Sequence, residues 1–457
     1  MGHTCEAEEL RERWLSLCAS YLPLVAGGSS IWRYNRAPTP DEPTQGWKLH
    51  VSATVLNAPA LLARIAPPLT RSGVRFKAPS SLDQLAALNS GISYGYTQVG
   101  KIFTVYPRTE GEAIRLARSL HGLTRGLPAP AVPFDLQFRP DSNVFYRYGA
   151  HDSFEVELPN GRRVPAIRDP DGNPVPDPHE SAKPEWVEDP FQPHRKPRCN
   201  APHAPGPLAS FHIFRALTQR GKGGVYQALN LCADPPRLCI LKEGRKNGEV
   251  TWDGRDGRWR VRNEERALSS LKARGVEVPL VYDSFESDEN YYLAIEFIEG
   301  ETLLQFLGRR ARRLPVSRVL HYGLRVATLL ARIHGAGWVW GDCKPSNLLI
   351  TRGGGLRPLD FEGACPVGCP DPVPWATPAF SRPGPGSADA RVDDLYALGA
   401  TIYLLLTGRM PETPSAFVPA STLRRNTPTW LCRLVSDLLS LGVRDARSVA
   451  QRLSEAL

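Results

Sequence analysis

The segment Gly341-Asp342-Cys343-Lys344-Pro345-Ser346-Asn347, followed by Asp360-Phe361-Glu362, constrains this chain more than any other. A Lys stands two residues after an Asp and an Asn five after it, and a second Asp follows thirteen residues beyond the Asn. In that order Asp342 can accept a proton from a hydroxyl, Lys344 can hold a phosphate, and Asn347 and Asp360 offer hard oxygens to Mg²⁺. The chemistry that uses all four is phosphoryl transfer. More than 200 residues precede the segment and leave room for a second chemistry.

A chain of 457 residues suggests two or three domains of about 100–200 residues. Its hydrophobic share of 42% and charged share of 23% are those of a globular protein. A net charge of +9 favours acidic partners: a nucleotide, a phosphorylated substrate or an acidic peptide. No long basic block or reading motif points to nucleic acid; Arg309-Arg310-Ala311-Arg312-Arg313 reads as a solvated face or a docking patch. With no signal peptide and no apolar run of about 18 residues, a cytoplasmic protein with reduced thiols and no membrane partner is expected. Cys365 and Cys369 lack a second pair and read as loop thiols rather than a zinc site.

Trp47-Lys48-Leu49-His50-Val51 and Lys101 to Tyr106 read as strands, and Leu61 to Leu69 and Glu110 to Leu120 as helices. Residues 1–190 are therefore expected to form an α+β domain. Composition then shifts towards Pro, Gly and charge; Pro170-Asp171-Gly172 signals a hairpin turn, and five prolines between Phe191 and Pro207 suit an extended linker over 191–207. From 208 to 457 strand patterns come first (Phe211 to Phe214, Gly224 to Leu231, Leu238 to Lys242, Tyr291 to Phe297) and helical patterns follow. That predicts a β-rich lobe over about 208–300 and a helical lobe over about 301–457.

With the Asp342 segment, this layout resembles the protein-kinase family. The resemblance implies that Lys242 binds the α- and β-phosphates of ATP, with GTP possible, and that Glu264 pairs with it, Glu265 being the alternative. Gly221, Gly223 and Gly224 would offer N–H groups to phosphate, although the family's spacing is degenerate here. Asn347 and Asp360 would hold Mg²⁺, and an Asp of Asp393-Asp394, on a buried helix containing Gly399, would brace the catalytic loop. Trp340-Gly341 replaces the usual His-Arg, Glu362 a Gly, and Pro383-Gly384 a Pro-Glu. Without that Arg, an activation-loop phosphate has lost its usual receptor, as suits a constitutive enzyme.

Upstream, Lys48 and His50 share one face of a strand, roughly 6–7 Å apart. A neutral Lys and a protonated His suit an elimination: one takes a Cα proton while the other assists a departing phosphate. Neighbouring cations would lower the Lys pKa, and Lys77, Lys101, Arg139 and Arg147 are candidates to bind phosphate, with Asp135 a weaker member of the site. Lys48-Leu49-His50-Val51-Ser52 resembles the motif of phosphothreonine lyases, in which that Lys is the base and that His the acid. With Gly100 to Pro107, Phe145 to Gly149, Trp186 to Phe191 and Leu359 to Ala364, the chain from about Gly46 resembles the lanthipeptide synthetases of classes III and IV, a lyase domain preceding a kinase domain.

That resemblance implies a dehydratase that phosphorylates Ser and Thr of a precursor peptide with a leader segment and then eliminates phosphate. Those synthetases continue into a cyclase, which holds zinc in class IV; no such ligand set occurs in these 457 residues, so the resemblance implies either a lyase-kinase fragment or a dehydratase working with a separate cyclase. Rival readings are an ordinary Ser/Thr protein kinase with a regulatory N-terminal domain, and a scaffold that binds a peptide or nucleotide.

Overall fold

The computed structural model describes residues 2–25, 31–151, 154–177, 180–191, 206–309, 313–369, 377–382, 389–411 and 418–457. Most of the expected linker, Arg310 to Arg312 and Pro383-Gly384 lie outside the described residues. Two compact units are present: Met1–Tyr226 with Lys242–Trp259 and Glu286–Tyr291, and Gln227–Leu241 with Arg260–Phe285 and Tyr292–Leu457. The first unit takes in the start of the β-rich segment as well as the residues before the proline-rich stretch.

The N-terminal part runs α1 (Gly2–Tyr21), β1 (Leu24–Val25), β2 (Trp32–Tyr34), β3 (Gln45–Val51), α2 (Ala58–Ser72), β4 (Arg75–Pro79), α3 (Leu82–Ser90), β5 (Phe103–Tyr106), α4 (Glu110–Thr124), β6 (Leu136–Gln137) and β7 (Val144–Ala150). Its strands form one sheet in the order β1-β2-β4-β5-β3-β7-β6, antiparallel at every pair. Capping chemistry sets the helix starts: Ser81 accepts from the N–H of Gln84, and Thr109 from that of Glu112. Gly73, at φ 70°, ends α2 in the left-handed region.

Period two sends Leu49, Val51, Phe76, Phe103, Val105 and Tyr146 to one face of the sheet, where α1, α2 and α4 cover them. Truncating one of these buried side chains costs about 2–5 kcal/mol. Helix α1 is not among the expected elements; Ala7, Leu10, Trp14 and Leu17 carry the spacing that reveals it. The expected hairpin is present: β9 (Arg163–Arg168) and β10 (Pro174–Pro176) pair around a turn in which Gly172 N donates to Asp169 O at 3.0 Å, with β8 (Glu155–Glu157) on the other side of β9.

The remaining chain has strands first and helices after, as the sequence predicts. Strands β11 (Phe211–Arg220), β12 (Gly223–Asn230), β13 (Arg237–Gly244), β14 (Val281–Ser287) and β15 (Asn290–Glu296) form a sheet in the order β11-β12-β13-β15-β14, with α5 (Gly257–Ala273) between β13 and β14 in sequence. Helices α6 (Leu303–Gly308), α7 (Val316–Gly335), α8 (Arg391–Thr407), α9 (Ala420–Leu423), α10 (Thr429–Leu439) and α11 (Ala446–Ser454) follow. Helix α8 is buried almost throughout. A Cβ on its Gly399 would lie 2.7 Å from Leu438 Cβ, so only glycine admits α10 this closely. No described helix is long and apolar enough to cross a membrane.

Candidate active sites

The first site follows from strand register. His50 lies opposite Thr104, and Thr104 opposite Lys77. Lys48 lies opposite Arg147, and Arg75 opposite Tyr106. Because side chains alternate along each strand, all of these project from the face opposite the helices. Three strands that are distant in sequence thus deliver Lys48, His50, Lys77, Arg75 and Arg147 to one polar face.

Electrostatics give the residues different states. The Asp135 carboxylate is fully buried, with one oxygen 2.5 Å from His50 Nδ1 and the other 2.9 Å from Lys101 Nζ. These two partners hold the Asp135 carboxyl at about 2 against the opposing effect of burial. An ionised carboxylate only accepts, so His50 carries its proton on Nδ1 and leaves Nε2 for proton exchange. Burial lowers His50 to about 4, with Asp135 opposing, so the imidazole is neutral near pH 7.

Lys48 Nζ donates to Ala150 O at 2.8 Å. Its pKa falls to about 7 chiefly through burial, and secondarily through Arg147. The expected cause, neighbouring cations, is therefore the smaller one. Lys77 is also lowered to about 7, by burial and then by Lys48 and Arg75; its ammonium sits 4.0 Å from the ring centre of Trp32. Arg147 pairs with the buried Asp177 at 2.5 Å. A Cβ on Gly149 would stand 2.6 Å from Asp177 Oδ2, so glycine is required beside that pair.

The structure brings Lys48, His50, Lys77, Lys101 and Arg147 together, with Asp135 bridging His50 and Lys101. It does not bring Arg139, which is exposed with its guanidinium 5.3 Å from the ring centre of Phe138. Arg75 and Asp177 are additions to the expected set. Arg75 carries a sequence signal, since it precedes Lys77 by one strand period. Asp177 carries none, because it reaches the site through a hairpin.

The second constellation is the loop after α7. Asp342 Oδ2 accepts from Lys344 Nζ at 2.8 Å and from Asn347 Nδ2 at 2.7 Å. Lys344 also donates to Thr377 Oγ1 at 3.0 Å. Burial and nearby Asp360 raise the Asp342 carboxyl to about 6. Of the two acids in α8, Asp394 is the brace: it accepts from the backbone N–H groups of Trp340 and Gly341, each at 2.9 Å, and lies 2.9 Å from His334 Nε2.

Gly341 has φ +79°, and a Cβ there would lie 2.5 Å from Gly363 O. The departure from Arg at this position is therefore built into the backbone. Glu264, fully buried, accepts from Phe361 N at 3.1 Å, whereas Glu265 accepts from Ser284 Oγ; Glu264 is the inward acid. Among the described residues, oxygens of Glu264, Asp360 and Glu362 lie within 4.8 Å of one another, a hard-oxygen set suited to Mg²⁺. Of these three, the sequence suggests only Asp360, with Asn347, for the metal; Glu264 and Glu362 are additions.

In the first compact unit, Lys242 is buried near the end of β13. Gly221, Gly223 and Gly224 are buried as well. Gly221 N, one of the N–H groups expected to face phosphate, donates to Ser90 O at 3.0 Å.

Residues 25–202 match the family described as RamC, N-terminal domain, and residues 217–417 match the protein kinase domain. The probable SapB synthase of Streptomyces coelicolor is 32% identical over 83% of this chain and 42% of its own length. The serine/threonine-protein kinase PknL of Mycobacterium tuberculosis is 32% identical over 45% of this chain and 51% of its own. This chain thus spans about half or less of the length of these relatives. The crystal structure of the Mycobacterium tuberculosis PknI kinase domain aligns with 54% of this chain and 95% of its own at TM-score 0.42 and 22% identity.

Proposed function

We propose that this chain, which joins a RamC-type N-terminal domain to a protein kinase domain, is a peptide Ser/Thr dehydratase of the lanthipeptide kind. The observation that carries this reading is Lys48, at a pKa of about 7, sharing a sheet face with His50 and a ring of cations. A solvated surface would leave Lys48 charged and useless as a base. Here it is poised near neutral pH, where a general base is most effective.

In the kinase part, Asp342 accepts the proton of a Ser or Thr hydroxyl, and Lys344 holds the transferred phosphate. Asn347 and Asp360, with Glu264 and Glu362 nearby, would hold Mg²⁺. When bound, that ion supplies charge neutralisation for the phosphates of ATP. In the lyase part, Arg75, Lys77, Lys101 and Arg147 receive the phosphorylated side chain. Neutral Lys48 takes the Cα proton, the Cα–Cβ double bond forms, and the Cβ–O bond breaks. His50 gives a proton to the departing phosphate. It is neutral in the free protein, and the approaching dianion raises its pKa towards the charged form, held by Asp135. Hydroxide leaves poorly and phosphate well, so phosphorylation comes first.

Lys77 offers a second reading for the base, since its pKa is equally lowered and its ammonium rests on Trp32 rather than on a carbonyl. The peptide would be a precursor with a leader segment, acidic enough to suit the +9 charge.

The test is mass spectrometry of a Ser-containing precursor peptide incubated with ATP and Mg²⁺. A product lighter than substrate by one water supports the dehydratase. A product only heavier by phosphate favours an ordinary Ser/Thr kinase with a regulatory N-terminal domain. His50→Ala should accumulate the phosphorylated peptide, and Asp342→Asn should leave the peptide unmodified.

A further inference from the structure

The glycine-rich turn between β11 and β12 belongs to the same compact unit as the N-terminal sheet. Helix α3 meets it end-on: besides the Ser90 contact, a Cβ on Gly221 would fall 1.6 Å from Asn89 O. The Asn89 side chain also reaches the lyase part. Its Nδ2 donates to Ala53 O at 2.9 Å, and its Oδ1 accepts from Gly100 N, next to Lys101, at 3.1 Å.

Arg245 holds the turn from its other side. Its backbone N donates to Lys222 O at 2.8 Å, its Nη1 to Arg220 O at 3.1 Å, and its Nη2 pairs with Glu243 at 2.9 Å. Over that guanidinium lies the ring of Tyr96, 4.7 Å from its centroid. Tyr96 belongs to the N-terminal domain.

We propose that Tyr96 and Arg245 form a clamp by which the N-terminal domain positions the glycine-rich turn for nucleotide binding. This rests on the kinase reading above. The physical reason is entropic. A glycine turn left free must be ordered when a nucleotide binds, at a cost in backbone entropy for every residue fixed. A turn already seated on α3 and on the Tyr96–Arg245 stack has met that cost on folding, so binding is tighter. Tyr96 is a positioning residue: it acts on nucleotide through Arg245.

The test uses the full chain and a fluorescent ATP analogue with Mg²⁺. Tyr96→Ala should raise the analogue's Kd roughly three- to tenfold, the range of a partly desolvated cation–π contact. Tyr96→Phe, which keeps the ring, should restore wild-type affinity. Elimination from a peptide supplied already phosphorylated should continue at the wild-type rate in Tyr96→Ala. An unchanged Kd would overturn the clamp. So would an equal loss of binding and elimination, because Tyr96 would then only hold the fold together. If the wild-type chain fails to bind the analogue, the kinase reading falls first, and that outcome is read separately.

Discussion

Lys48 shows how burial, rather than charge pattern alone, lowers the pKa of a lysine. Its ordinary value is 10.5, and the protein lowers it to about 7. For a lysine acting as base, the neutral form is the active one, so activity should rise with pH through that value. With a saturating pre-phosphorylated peptide, the elimination rate should climb with unit slope below about pH 7 and fall again at higher pH, where His50 no longer holds the proton it gives to phosphate. Replacing the base by Arg, which stays charged, should abolish turnover along the whole profile. If Lys48 is the base, Lys48→Arg is inactive and Lys77→Arg keeps the limb; the opposite result assigns the base to Lys77. Either residue is legible in the sequence as a cation near a strand. Its lowered pKa is not, because the depth of burial depends on every strand beside it. Arg139 shows the converse: proximity to Arg147 in sequence suggests a common site, yet its side chain stacks on Phe138 at the surface.

At the scale of elements, helix α8 holds the loop that carries Asp342. Asp394 accepts from two consecutive backbone N–H groups, which fixes Gly341 in its left-handed conformation beside Asp342. Hydrogen bonds to a buried charged acceptor contribute about 1.5–3 kcal/mol each. Asp394→Ala should therefore lower peptide phosphorylation at least tenfold and leave elimination from a supplied phosphopeptide intact. Equal effects on both steps would mean that Asp394 maintains global stability instead. The sequence pattern points to this helix and to one of two aspartates. Choosing between them needs the helix rotation: Asp394 is buried, while Asp393 faces Arg382.

At the scale of the molecule, the N-terminal sheet and the glycine-rich turn form one compact unit. Trp252, far along the chain, packs against the N-terminal core and carries Arg11 over its ring at 4.5 Å. A fragment beginning at residue 206 would expose Trp252, Arg245 and Gly221, which lose Arg11, Tyr96 and Ser90. It should unfold at a lower temperature than the full chain and bind the ATP analogue weakly; full-strength binding by a stable fragment would show that the turn needs no support. Sequence alone suggests a boundary in the proline-rich stretch, because composition changes there. Contacts made by Gly221 and Arg245 leave no compositional trace, since glycine and arginine suit a solvated turn equally well.

By itself the sequence determined the residue types and their local periodicity. Period two put Lys48 and His50 on one face, and the order Asp342, Lys344, Asn347, Asp360 named phosphoryl transfer. Tertiary structure decided which distant groups complete each site. Antiparallel register brought Arg75, Lys77 and Arg147 beside Lys48, and a loop brought Asp135 between His50 and Lys101. The reason is physical: a pKa, a brace and a clamp each depend on desolvation and on contacts between segments far apart in the chain. Local spacing carries no record of either.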